Sequence, residues 1–84
     1  MKTYITFYRS ALCPRCHIAG RHLKKLAAAD PSLEVEEVDI MLSPRRAWQD
    51  GIRMIPALRI GNRTVSGVFL GMDAISGFIA ENKS

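Results

Sequence analysis

The chain has 84 residues, 48% of them hydrophobic, which suits one small folded domain over 1–84 and excludes disorder. No apolar run reaches the ~20 residues that a membrane span needs, and a strand-like pattern begins directly after Lys2 without an apolar signal core, so a soluble cytoplasmic monomer is expected. The net charge of +4 comes mainly from arginine, but no aromatic platform or recognition motif accompanies it, and nucleic-acid binding is not expected.

The elements follow in chain order. Residues 2–8, with Tyr4-Ile5-Thr6-Phe7-Tyr8, are β-branched and aromatic and predict a buried strand. Residues 14–29 place Ala19, Gly20, Leu23, Leu26 and Ala27 on one helical face. That helix stops before Asp30-Pro31, because proline disfavours helix at the residue before it. Leu33 to Val38 predicts a second strand through Val35 and Val38. Ser43-Pro44 starts a short helix, as cap and first residue, and Gly51 fits its C-terminal end. Residues 57–60, Gly61-Asn62 and residues 63–66 read as strand, two-residue turn and strand. A last helix starts near Met72-Asp73, where an acidic residue suits the dipole, with Ile75, Phe78 and Ile79 on its apolar face. Gly77 weakens this helix by roughly 1 kcal/mol against alanine. The order is β-α-β-α-β-β-α, an α/β class. Right-handed crossover makes the first two strands parallel, and the hairpin completes a mixed four-stranded sheet with helices on both faces.

Cys13-Pro14-Arg15-Cys16 falls where the first strand becomes the first helix, and the chain has no other cysteine. Pro14 suits the first helical turn. Cys13 then sits at the helix N-terminus, where unpaired N–H groups and the dipole stabilise a thiolate. Cys16 lies one turn on, near enough to close a disulfide. Arg15, a cation beside Cys13, either favours the thiolate or only shapes partner choice. The pattern reads as a dithiol redox centre.

With this element order, the chain resembles the thioredoxin/glutaredoxin superfamily along nearly its whole length. Cys13-Pro14-Arg15-Cys16, Gly51-Ile52-Arg53-Met54-Ile55-Pro56-Ala57-Leu58 and Gly71-Met72-Asp73 carry the likeness. Its length and His17 look like glutaredoxin, whereas Gly51 to Pro56 looks like the GIRGIP-type segment of thioredoxins. Leu12 stands where thioredoxins have tryptophan, and Phe7 where many have a buried aspartate. Ser10 stands where many glutaredoxins carry lysine, with Arg9 one position off, and Leu70-Gly71-Met72-Asp73-Ala74 replaces a Gly-Gly-x-Asp-Asp stretch.

The resemblance implies a thioredoxin fold and a thiol-disulfide oxidoreductase with catalytic Cys13 and Cys16, tuned by Pro14 and Arg15. It also implies a cis Ile55-Pro56 bond facing the cysteines, with the Ile55 backbone pairing with substrate. Arg9 and Arg53 are candidates for a glutathione carboxylate or an acidic partner. Asp73 either binds the glutathione amino group or caps the last helix, and the cap is the reading taken. The expected partners are protein disulfides, with electrons from a thioredoxin-reductase-type flavoprotein or from glutathione as co-substrate; no tightly bound cofactor is expected. Trp48 either covers the core or marks a partner surface, and packing is the reading taken; Met41, Met54 and Met72 are expected to fill space around the sheet, with Met54 next to the substrate-facing segment. Two other chemistries use the same residues. Cys13, Cys16, His17 and His22 are zinc-type donors, though His17 and His22 are five apart, and an iron–sulfur cluster bridging two copies through Cys13 has parallels in some glutaredoxins. Cys13-Pro14-Arg15-Cys16-His17 also matches the CxxCH of c-type haem attachment, which needs export.

Overall fold

The structure is a computed structural model that describes residues 2–67 and 70–83. Its elements are β1 (Thr3–Arg9), α1 (Pro14–Ala29), β2 (Leu33–Asp39), α2 (Pro44–Gln49), β3 (Ala57–Ile60), β4 (Arg63–Ser66) and α3 (Met72–Asn82). The order is the expected one, with β1 shifted one residue along. The strands lie in the order β2-β1-β3-β4. β1 and β2 are parallel, with Ile5 opposite Val35, while β1–β3 and β3–β4 are antiparallel.

Alternation along the strands divides the core in two. Ile5, Phe7, Leu58 and Ile60 face α1 and α3, meeting Cys16, Ala19, Leu23, Ile75 and Ile79. Tyr8, Val38 and Ala57 face the other way and meet Ala47 of α2. Gly20 lets α1 approach the sheet closely, since a Cβ there would stand 3.2 Å from the Phe7 ring. The first strand therefore supplies a wall for each layer.

Chain reversals carry their own hydrogen bonds. Asp30 ends α1 with its N–H on the Leu26 carbonyl, and its carboxylate accepts from Ser32 N–H (3.0 Å) and hydroxyl (2.6 Å). Lys83 also pairs with Asp30, and these donors hold its carboxyl down to about 2, Lys83 contributing most. Gly51 follows α2 with φ 75°, and Gly61 opens the β3–β4 turn with φ 62°, a region that L side chains rarely adopt. Ser43 stands at the N-cap position of α2, but its hydroxyl makes no capping bond.

α2 is joined to the sheet through Asp50. The buried Tyr8 hydroxyl donates to its carboxylate, which Arg59 of β3 approaches at 3.1 Å. Arg59 also donates to the Asp50 backbone oxygen at 3.2 Å. Burial and the Asp50 carboxylate raise the Tyr8 pKa.

Three side-chain expectations need correction. Trp48 is 67% exposed rather than packed on the core, because α2 spans under two turns and presents only Ala47 to the sheet. Met41 and Met54 are exposed, being carried on the loops that flank α2. Asp73 is the second residue of α3 and not its cap, a position held by Gly71; its carboxylate is still in the first turn, where the dipole favours it.

Gly77 lies exposed in mid-α3, and a Cβ there would meet nothing within 4 Å. Gly77→Ala should therefore raise unfolding stability by about 0.5–1 kcal/mol, read as a higher urea midpoint with unchanged slope.

Candidate active site

The parallel pairing of β1 and β2 brings their C-terminal ends to one side of the molecule, where Ile40 N–H donates to the Arg9 carbonyl at 2.9 Å. β3 runs antiparallel to β1, with Ala57 opposite Tyr8, so its N-terminal end lies there too. The loops 10–13, 40–43 and 51–56 thus share one end of the sheet.

Ser10 shapes the first of these loops. Its carbonyl accepts the Cys13 N–H at 3.1 Å, and its hydroxyl accepts the Leu12 N–H at 3.3 Å. Cys13 is then delivered in extended conformation as the N-cap of α1, with Pro14 as the first helical residue. Its sulfur accepts the backbone N–H of Cys16 at 3.3 Å, the role a serine or aspartate oxygen usually plays at a helix start. Cys16 is fully buried, Cys13 is 9% exposed, and both thiols are free.

The two sulfurs differ in acidity. Burial pushes the Cys13 thiol up, but hydrogen bonds from the Cys16 thiol and backbone N–H, the Arg15 charge and the Arg15 N–H together hold it below its ordinary value. Burial and the Cys13 sulfur push Cys16 the other way, to about 11. One thiol is set up to ionise while its neighbour keeps its proton.

The other predicted residues lie on the first turn of α1, the 51–56 loop and the start of α3. Ile55 is half-buried and packs against the layer that holds both cysteines and against the α2 layer as well. Pro56 is fully buried, and the Ile55-Pro56 bond is cis, as the resemblance implied. Pro14 and Arg15 are exposed on the first turn of α1. Arg53 is exposed with its guanidinium over the Trp48 ring, 4.1 Å from the centroid. Asp73 begins α3 beyond the Gly71 cap. His17 is exposed, with its ring Nε2 3.0 Å from the Ala11 carbonyl. Among the described residues, no three His, Cys, Asp or Glu side chains gather where a metal ion would sit. A cleft of about 370 Å³ beside α1 reaches Cys16, with Arg9, Arg21 and Glu37 also lining it.

Sequence reasoning did not find the Ser10 turn, the Trp48–Arg53 stack or the Tyr8–Asp50–Arg59 contact. Only Ser10 had a local signal, a small hydroxyl residue just before a cap.

A β-α-β-α-β-β-α chain with this strand order and a CxxC pair at its first strand–helix junction is a thioredoxin-fold protein. Comparison with known proteins narrows this. Over 60 residues the chain is 33% identical to a thioredoxin of Methanocaldococcus jannaschii, a match covering 70% of this chain and 71% of that one. The oxidised form of mitochondrial thioredoxin 3 from Saccharomyces cerevisiae superposes with TM-score 0.83 at 20% identity, over 95% of this chain and 78% of that one. A mutant thioredoxin from Halobacterium salinarum gives 0.83 at 18% identity, over 99% and 76%. No family model matches the chain. The chain belongs to the thioredoxin family, and it is a thiol-disulfide oxidoreductase.

The opposed thiol acidities have a direct readout, since only the thiolate alkylates. In the reduced protein, iodoacetamide should modify Cys13 with a midpoint below that of an ordinary thiol, while Cys16 stays unmodified until pH approaches about 11. Arg15→Gln removes a cation from the thiolate, so the Cys13 midpoint should rise; an unchanged midpoint would remove Arg15 from the site.

Proposed function

We propose that the chain reduces protein disulfides by cycling Cys13 and Cys16 between dithiol and disulfide, with Cys13 as the nucleophile and Cys16 as the resolving thiol. The observation that carries this reading is the arrangement at the start of α1, where the Cys13 sulfur caps the helix and accepts the Cys16 N–H at 3.3 Å while Cys16 lies fully buried one turn on. The Cys13 thiolate attacks one sulfur of the substrate; the substrate S–S bond breaks, a mixed disulfide forms, and the departing sulfur takes a proton. Cys16 then gives up its proton to solvent and attacks the Cys13 sulfur. The Cys13–substrate bond breaks, the Cys13–Cys16 bond forms, and the second substrate sulfur leaves as thiolate. Two electrons have passed from the dithiol to the substrate.

The surrounding residues have matching roles. Pro14 opens the helix at the position that leaves Cys13 as cap, and Arg15 favours the thiolate. The Ile55 backbone, ahead of the cis bond, receives the substrate as an added strand. Arg53, over Trp48, takes a carboxylate, and Asp73 takes an amino group at the start of α3; Arg9 stands apart from Arg53, in the cleft beside α1. The dithiol is regenerated by a thioredoxin-reductase-type flavoprotein or by glutathione, in a reducing compartment such as the cytoplasm. Among the described residues no helix is long and apolar enough to cross a membrane.

Turnover of an insulin-type protein disulfide checks the roles of the two cysteines. Cys13→Ser should abolish it. Cys16→Ser should accumulate a mixed disulfide of one protein and one substrate, released by dithiothreitol and seen by mass spectrometry. Full activity in Cys13→Ser would overturn the assignment of the nucleophile.

A further inference from the structure

Two clefts meet beside α1, on the face of the sheet opposite α2. The larger, about 370 Å³, is lined by Phe7 and Arg9 of β1, Cys16, Arg21 and Lys24 of α1, and Glu37 of β2. The smaller, about 200 Å³, shares Phe7, Gly20, Lys24 and Glu37 with it and adds Leu23, Ala27 and Val35. Together they form one groove with a charged end and an apolar end. Among the described residues β2 is an outer strand, so no further strand closes the groove on that side.

The charged end holds more cations than the fold uses. Arg9 stands on the sheet side and Arg21 and Lys24 on the helix side, with Glu37 the one carboxylate among the lining residues. Three cations against one carboxylate leave a formal excess of two positive charges. Among the described residues the ion pairs all lie elsewhere: Lys2 with Glu34, Arg46 with Glu36, Arg59 with Asp50 and Lys83 with Asp30. No ion pair joins Glu37 to the cations that share its cleft. Arg21 and Lys24, three apart on one helix, repel rather than support each other. His17, the other titratable group there, turns its ring Nε2 to the Ala11 carbonyl. Stability alone gives no reason to gather these charges.

We infer that this groove binds a small phosphate monoester with an apolar organic part. Such a phosphate is close to dianionic at neutral pH and matches the excess charge. Arg9 and Arg21 offer planar N–H forks suited to its oxygens, and Lys24 adds a point charge. The organic part lies over Phe7 and Gly20 toward Leu23 and Val35, where Gly20 contributes no side chain. The volume suits a small molecule rather than a protein segment. Although Cys16 lines the charged end, the inference does not rest on the redox reading. It gives Arg9 a partner separate from the carboxylate at Arg53.

The test is a titration of the reduced full chain with phenyl phosphate, followed by two-dimensional amide NMR at low ionic strength and about pH 8, where the phosphate is dianionic. The amide signals of Arg9, Gly20, Arg21, Lys24 and Glu37 should move along one saturating curve. Phenyl phosphate should bind about tenfold more tightly than inorganic phosphate, which lacks the apolar part, and than phenol, which lacks the charge. Arg21 is exposed, and Arg21→Glu should weaken binding about tenfold. Arg63→Glu makes the same charge change on β4, at the far edge of the sheet, and should leave binding unchanged. Glu37→Gln removes the one opposing carboxylate and should tighten binding. Equal losses in Arg21→Glu and Arg63→Glu would reduce the effect to general attraction by a basic chain and overturn the site. Shifts that do not saturate, or that centre on other residues, would also overturn it. So would equal binding of glutathione, which carries carboxylates and no phosphate.

Discussion

The reactive end of this molecule depends on how β1 hands over to α1. Ser10 turns the chain with its carbonyl and hydroxyl, and Pro14 then begins the helix. Cys13 is left at the N-cap, where its sulfur accepts the backbone N–H of Cys16, a donor it shares with the Cys13 carbonyl. A helix start needs such an acceptor, and a thiolate is a better acceptor than a thiol, so local folding and ionisation of Cys13 favour each other. The same helical turn buries Cys16 against Phe7 and Leu58, which keeps its proton on. The opposed acidity of the two thiols therefore follows from their places in the first helical turn.

The second loop of the site is fixed from a distance. Asp50 closes α2, and Tyr8 of β1 and Arg59 of β3 hold its carboxylate. Gly51 then turns the chain into the segment that ends at the cis Ile55-Pro56 bond and pairs into β3. Because Tyr8 lies two residues before Ser10, one strand positions both the Cys13 loop and the loop that leads to Pro56. Phe7 and Tyr8, adjacent in sequence, anchor opposite layers of the fold.

Much of this was legible in the sequence because local signals agreed. Pro14 and Asp30-Pro31 bracketed α1, Gly61 marked the hairpin, and the apolar spacing of Ala19, Gly20 and Leu23 gave the buried face of α1. The CxxC at a strand–helix junction indicated both the fold and the candidate centre. What was not legible depends on tertiary contact or on elements too short to show a period. Six residues of α2 define no face, so Trp48 could not be assigned to the surface. Tyr8 and Asp50 are 42 positions apart, and neither carries a mark of the other. Asp73 sits where a cap or a first-turn acid would both look right, and only the backbone at Gly71 separates them.

A working redox couple at Cys13 and Cys16 differs from a structural crosslink or a pair of inert thiols in its reduction potential, which is measured by equilibrating the protein with glutathione and dithiothreitol buffers and counting free thiols. A single two-electron transition is expected between about −270 and −120 mV, the span of catalytic dithiols. A more negative value is expected for Arg15→Gln, since losing the cation destabilises the reduced thiolate. A potential below about −300 mV, or no two-electron transition at all, would contradict a working couple.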